Sequence, residues 1–337
     1  MVESPTAGTA GGGQRRLIAS QALRLQKIRT IACWLTALSL LVVLLSAWLR
    51  LAAAGLGCAD WPACYAQLLS GEPLLQTCGL LRLLHRATAS LALLLACYLA
   101  WLCWRRPSLP SPARPASMLV ALVLALAVLG FWSSDPRLAG VAFLNILGGL
   151  GLVSFSWRVV LASTPDALLT GTGASAPPRL VLCLGGAALS VTVILGALIG
   201  ARYAAVACTS FPDCAGSWWP TAAGWAALQA FASLAEAPPA GEAGGLSLHL
   251  LHRWSALLTL LVLGAAAWQA FANGVTRRAA VALLVLLIAQ LAIGALTVIS
   301  GFSLWLAIAH GVGAAALLAA LATFRRRCSG PADPGAA

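Results

Sequence analysis

The sequence predicts an all-α integral membrane protein whose eight transmembrane helices form two tandem, pseudo-symmetric four-helix bundles. Three observations carry this. The 337 residues are 61% hydrophobic and 9% charged, with a mean hydropathy of +0.91, whereas a soluble domain carries about 25% charged residues. The apolar residues fall into runs of the roughly 20 residues needed to cross a bilayer, and arginine punctuates their ends. The pattern of the first half returns in the second.

Residues 1–29, Gly/Ser/Thr-rich and then basic, read as a disordered cytoplasmic tail. The first span follows at about 30–50 and the second at about 83–104, joined by a loop containing Cys58 and Cys64. Arg105, Arg106 and Arg114 with four prolines make a turn before a third span at about 116–132; Asp135-Pro136 turns the chain into a fourth at about 139–157. Residues 158–178 are a linker. The fifth span covers about 179–200, and a long loop with Cys208, Cys214 and Trp218-Trp219-Pro220 leads to the sixth at about 247–271. The seventh runs about 279–299, and Gly301 turns the chain into the eighth, about 304–324, before the tail 328–337.

The net charge of +12 does not indicate nucleic acid, because the basic residues cap apolar runs instead of forming a patch. One side of the predicted topology carries 15 of the 21 basic residues, leaving Arg50, Arg82, Arg86, Arg137, Arg202 and Arg253 for the other. Both termini are therefore expected in the cytoplasm. The two Cys-pair loops are expected on the opposite, disulfide-permissive side.

The halves 30–157 and 179–327 align: Cys58 to Cys208 and Cys64 to Cys214 are both 150 residues, His85 to His252 is 167, and Asn145 to His310 is 165. This is a parallel repeat, and each bundle has room for a ligand between its helices.

Two of the four histidines lie in the stretch 248–254. His252 and His310 sit at similar depth on even-numbered helices of one bundle, an arrangement able to clamp a haem iron from both faces, with Gly311 and Gly313 leaving space for the macrocycle. The alternative is a pair of interhelical hydrogen-bonding histidines; zinc lacks third and fourth ligands at usable spacing. His85 occupies the place of His252 in the first bundle, but its expected partner is Asn145, a poor iron ligand. That bundle is left with a single-ligand haem, no haem, or a plain hydrogen-bonding role for His85. Arg253 and Arg86 follow the histidines and either pair with haem propionates or snorkel to headgroups. His249, one turn outward of His252, either relays protons at a haem edge or is solvated.

Cys58/Cys64 and Cys208/Cys214 share a C-x5-C spacing around an aromatic-Pro pair, which allows a short-loop disulfide of structural or redox use. Cys33, Cys97, Cys103 and Cys183 read as buried packing residues. Cys78 is left over. A transporter reading of the repeat lacks paired intramembrane charges and broken helices.

The residues resemble the haem A synthase family over nearly the whole chain. RLAAAGLGCADWPAC (Arg50–Cys64) is similar to that family's first outer loop and ACTSFPDCAGSWWP (Ala207–Pro220) to its second-half counterpart. HLLHR (His249–Arg253) resembles the proteobacterial branch, and AQLAIGALTVISGFSLWLAIAH (Ala289–His310) the closing helix pair. The resemblance implies a haem b held by His252 and His310. It also implies a first bundle, with His85, that receives haem O and oxidises its ring methyl, through a hydroxylated intermediate, to the formyl of haem A. Cytochrome oxidase assembly in the bacterial inner membrane would be the destination, with haem O synthase and oxidase assembly factors as partners and homo-oligomerisation possible. The chain departs from the family's pattern at Arg82, where the family commonly has Glu, and at Asn145, where it has His. A non-catalytic haem-b protein for electron transfer or haem delivery is the rival reading.

Overall fold

A computed structural model describes residues 8–53, 79–132, 138–165, 177–222, 228–229, 243–272 and 274–329. The helices are α1 (Gly8–Ala53), α2 (Gly79–Trp104), α3 (Pro110–Leu129), α4 (Ala139–Ala162), α5 (Arg179–Ala201), α6 (Ala243–Ala270), α7 (Gly274–Ile299) and α8 (Leu304–Cys328), with a 3-10 turn at Ala204–Ala207 before α6. All eight contain a stretch long and apolar enough to cross a membrane, and the described residues form no named strand.

The expected starts of α4, α5 and α8 match, and the other five helices begin earlier than expected, α2, α6 and α7 by four or five residues and α1 and α3 by more. The basic segment before residue 30 is helical from Gly8, continuous with the first span over 46 residues. At about 1.5 Å per residue that is some 69 Å, roughly twice the bilayer's hydrocarbon core. What holds this extension is visible at Arg24, only 8% exposed. It donates to the carbonyls of Arg105, at 3.2 Å, and Pro107, while Ile28 and Ala32 beyond it are fully buried. The third helix starts at Pro110, six residues early. Proline suits a helix's first turn, where its missing N–H leaves no hydrogen bond unmade.

The turn from α7 to α8 needs its glycine: Gly301 has φ +70°, and Phe302 N–H closes the turn on the Thr297 carbonyl at 2.8 Å. Of the four cysteines expected in the packing, only Cys103 is buried; Cys33, Cys97 and Cys183 lie on outward faces. Those faces are apolar because their neighbour is lipid, so hydrophobicity there carries no sign of burial in protein.

Helices α1 to α4 pack each on the next and α4 returns to α1, around Leu35, Leu99, Leu119 and Val159. Helices α5 to α8 pack in the same order around Leu189, Leu263, Leu283 and Phe324. A third cluster, Leu150 and Val153 of α4 with Ala315 of α8, joins the two groups, as do the Trp157 indole bond to Thr323 Oγ1 at 2.7 Å and the edge-to-face Trp48–Trp305 pair. One difference between the groups bears on function. α1 packs along α4, whereas α5 touches α8 only slightly. Gly149 of α4 permits the first closure, since a methyl there would stand 3.2 Å from Val43 of α1.

Candidate functional site

His252 and His310 come together. Their ring centres are 6.3 Å apart and the planes stand at 78°. His252 lies 9 residues into α6 and His310 6 into α8, so helices entering from the same end bring the rings to similar depth. His252 Nδ1–H donates to the Thr192 carbonyl of α5 at 3.0 Å. That bond fixes the tautomer and leaves Nε2 with its lone pair free, as in ligand histidines generally.

The spacing can be tested against a bound metal. Two imidazole nitrogens each roughly 2 Å from a shared metal put the ring centres about 6 Å apart. The observed separation fits that arrangement. It also lies within the roughly 4.5–7 Å of an edge-to-face ring pair, and among the described residues neither ring donates to the other. Both residues are half-buried, their Nδ1 atoms lie away from the surface, and Gly311 beside His310 borders open space. The Gly313 notch, expected to be free, is filled by the carboxamide of Gln290 from α7. Among the described residues no group of three or more His, Cys, Asp or Glu is placed to hold a metal ion. His252 and His310 would be the residues to hold a metal that brings its other ligands with it, as a haem does.

His249 is 8% exposed, covered by the 3-10 turn at Ala205, so the solvated reading does not hold. Its Nδ1 is buried without a partner among the described residues.

Arg253 is engaged by the neighbouring loop. Its Nη1 donates to the Pro212 and Asp213 carbonyls at 2.9 and 2.6 Å, its Nη2 to the Ser210 carbonyl at 2.9 Å, and its guanidinium stands over the Phe211 ring. Three of five donors are thus in use, and two remain for an anionic group such as a propionate. Trp254 adds a bond to the Trp218 carbonyl at 3.0 Å and stacks on Trp219. The loop is closed by a disulfide between Cys208 and Cys214 and turned by Asp213, which accepts from Gly216 N–H at 2.6 Å and Ser210 Oγ at 3.0 Å. These bonds hold the Asp213 carboxyl below the usual carboxylate range. A depressed pKa contributes local stability that is complete above the ordinary value, about 3.9, and is lost as pH falls through the lowered one. Amide exchange at Ala215 and Gly216 should therefore be constant at neutral and mildly acidic pH and accelerate only below that value, once intrinsic rates are divided out. In Asp213→Asn it should be fast throughout.

In the first half, Arg82 and Arg86 are exposed and His85 is half-buried. Among the described residues no hydrogen bond joins His85 to Asn145; the His85 carbonyl accepts from Thr88 Oγ1 at 2.9 Å. Cys58, Cys64 and Cys78 lie outside the described residues. Two site residues were missed in the sequence, Gly196 and Gly294, which back His252 and His310. A signal existed: both lie in the same local string, Gly-Ala-Leu, at matching places on α5 and α7.

Comparison with known proteins gives a match to the family described as COX15-CtaA, cytochrome oxidase assembly protein, over residues 85–322. A heme A synthase of Shewanella oneidensis is 30% identical, over 85% of this chain and 92% of that protein. One from Halalkalibacterium halodurans is 26% identical over 82% and 89%, and one from Rhizorhabdus wittichii 31% over 49% and 44%.

Proposed function

The chain belongs to the COX15-CtaA family of cytochrome oxidase assembly proteins, and from that premise we propose that it is a membrane oxidoreductase that converts the ring methyl of haem O to the formyl of haem A. His252 and His310 hold a haem b, which when bound supplies one-electron transfer. The observation that carries this is the 6.3 Å between the two ring centres. His252, with Nδ1 tied to Thr192, presents Nε2. Arg253 keeps the disulfide loop over the same end of the bundle and offers its remaining N–H groups to a propionate. His249 is the buried polar neighbour on the next turn. The first half receives the substrate haem at His85. The division is 1–29, 30–157, 158–178, 179–327 and 328–337, with both termini cytoplasmic and the site near the outer face of a bacterial inner membrane. Haem O synthase and oxidase assembly factors are the expected partners.

A second reading has its own observation. Arg82, Asn145 and the close packing of α1 on α4 favour a chain that binds haem b and passes on electrons or haem without oxidising haem O. Expression with a source of haem O, followed by extraction and chromatography of haems, separates the two. Haem A or its hydroxylated precursor is the expected product. Haem B alone, in one equivalent, would reject the oxidoreductase reading and leave the carrier.

A further inference from the structure

Each histidine is seated the same way on the odd-numbered helix behind it. A methyl built on Gly196 of α5 would stand 3.0 Å from His252 Cε1, 3.5 Å from Nδ1 and 3.9 Å from Nε2. One built on Gly294 of α7 would stand 3.1, 3.6 and 3.9 Å from the same atoms of His310. The order of approach is identical, so both rings lie in a glycine notch in one orientation.

Four residues before each glycine, about one turn away, the helix presents a polar residue to the same histidine. On α5 it is Thr192, whose carbonyl takes the His252 Nδ1–H. On α7 it is Gln290. The Gln290 carboxamide donates to the His310 carbonyl at 3.0 Å, and the His310 ring is turned toward the Gln290 backbone. The strings TVILGAL (192–198) and QLAIGAL (290–296) align without a gap. At the repeat offsets of 150 and 165 residues, the positions that correspond in the first half are Val42 with Ser46 and Ala125 with Leu129, neither of them a polar residue four before a glycine.

The two seats differ in one respect. His252 Nδ1 has its acceptor; His310 Nδ1 is buried with no partner among the described residues, and so is Gln290 Oε1. A donor and an acceptor are left over beside one ligand, and each such buried group carries a cost unless it is paired.

We propose that Gln290 and Gly294 are the positioning residues of His310, with the Gln290 main-chain carbonyl, toward which the ring is turned, the acceptor for its Nδ1–H and the Gln290 carboxamide holding the His310 main chain in place. They are the counterpart of the Thr192 carbonyl and Gly196 behind His252. This rests on a haem held between the two histidines. An acceptor on Nδ1–H raises the basicity of a ligand imidazole. It therefore favours ferric over ferrous iron and lowers the midpoint potential.

The test uses the purified full chain with haem, read by electron paramagnetic resonance and redox titration. Gln290→Met fills the same volume but no longer holds His310 against the Gln290 carbonyl. It should keep its haem but raise the midpoint potential and change the low-spin g values. Gly196→Ala and Gly294→Ala should each lose haem affinity by roughly 10- to 100-fold, as second-shell changes do. Gly264→Ala, on α6 with no atom nearer than 3.9 Å to the new methyl, should match wild type. The proposal is overturned if wild type shows low-spin haem while Gln290→Met keeps the wild-type potential and g values. If wild type itself shows no low-spin haem, the haem reading fails first and the seat falls with it, a pattern distinct from the former.

Discussion

His310→Ala is expected to abolish the low-spin haem spectrum, and His252→Ala to do the same. On the proposed reading each ring would supply one nitrogen to the haem iron, and among the described residues no group of three or more His, Cys, Asp or Glu is placed to offer a replacement. His249, the other imidazole nearby, is covered by the 3-10 turn and lies one turn outward of His252 on the same helix, so it cannot span to the face that His310 leaves. His310→Ala should therefore show high-spin haem or none, a loss well beyond the roughly 10- to 100-fold of a second-shell change. Absorption spectra of the reduced protein read it directly. His249→Ala is the matched control, since it also removes an imidazole from the same end of the bundle but should leave the low-spin bands in place. Loss in both variants alike would mean that the histidines act together in packing and not as ligands. An unchanged spectrum in His310→Ala would remove the ligand assignment.

The eight helices and the convergence of His252 and His310 were legible because membrane burial writes itself into long apolar runs and because helix rise turns sequence position into depth. Other features were not. The α1 extension was hidden because charge was read as exposure, and Arg24 instead donates from its two terminal nitrogens to carbonyls of a turn 81 and 83 residues away. Arg253 was hidden for the same reason. With one acidic residue, Asp213, within reach, an arginine in this chain is satisfied by main-chain oxygen, and sequence does not reveal which carbonyls a loop will present. The glycine seats were missed because an apolar helix rich in glycine and alanine offers many notches. Only the histidine lying in one makes it a site. The close approach of α1 to α4 at Gly149 and Val43 is a contact between helices whose rotation about their axes the repeat did not fix.

Arg82→Glu combined with Asn145→His is expected to raise haem A formation, by roughly 100-fold or more if the first half carries the chemistry and lacks only its general base and second imidazole. The two positions explain each other physically. Arg82 and Arg86 are four apart on exposed α2, a like-charge pair that disfavours the helix slightly; Arg82→Glu would turn it into an attractive pair of about 0.3–0.5 kcal/mol. The change therefore costs no stability at the helix start, and it puts a carboxylate one turn from His85. Asn145 lies on α4, the helix that α1 packs along, whereas His310 lies on α8, which α5 touches only slightly. Either change alone should give little, because a base without the second imidazole, or the reverse, leaves the site incomplete, and residues that act as a unit are not additive. Extracted haem from the two single variants and the double variant, normalised to the low-spin signal of the His252–His310 site, measures this. If the double variant makes no more haem A than the wild type while that signal is intact, the first half is closed to the substrate for reasons of packing. The chain is then a haem-b carrier built on an oxidase-assembly fold.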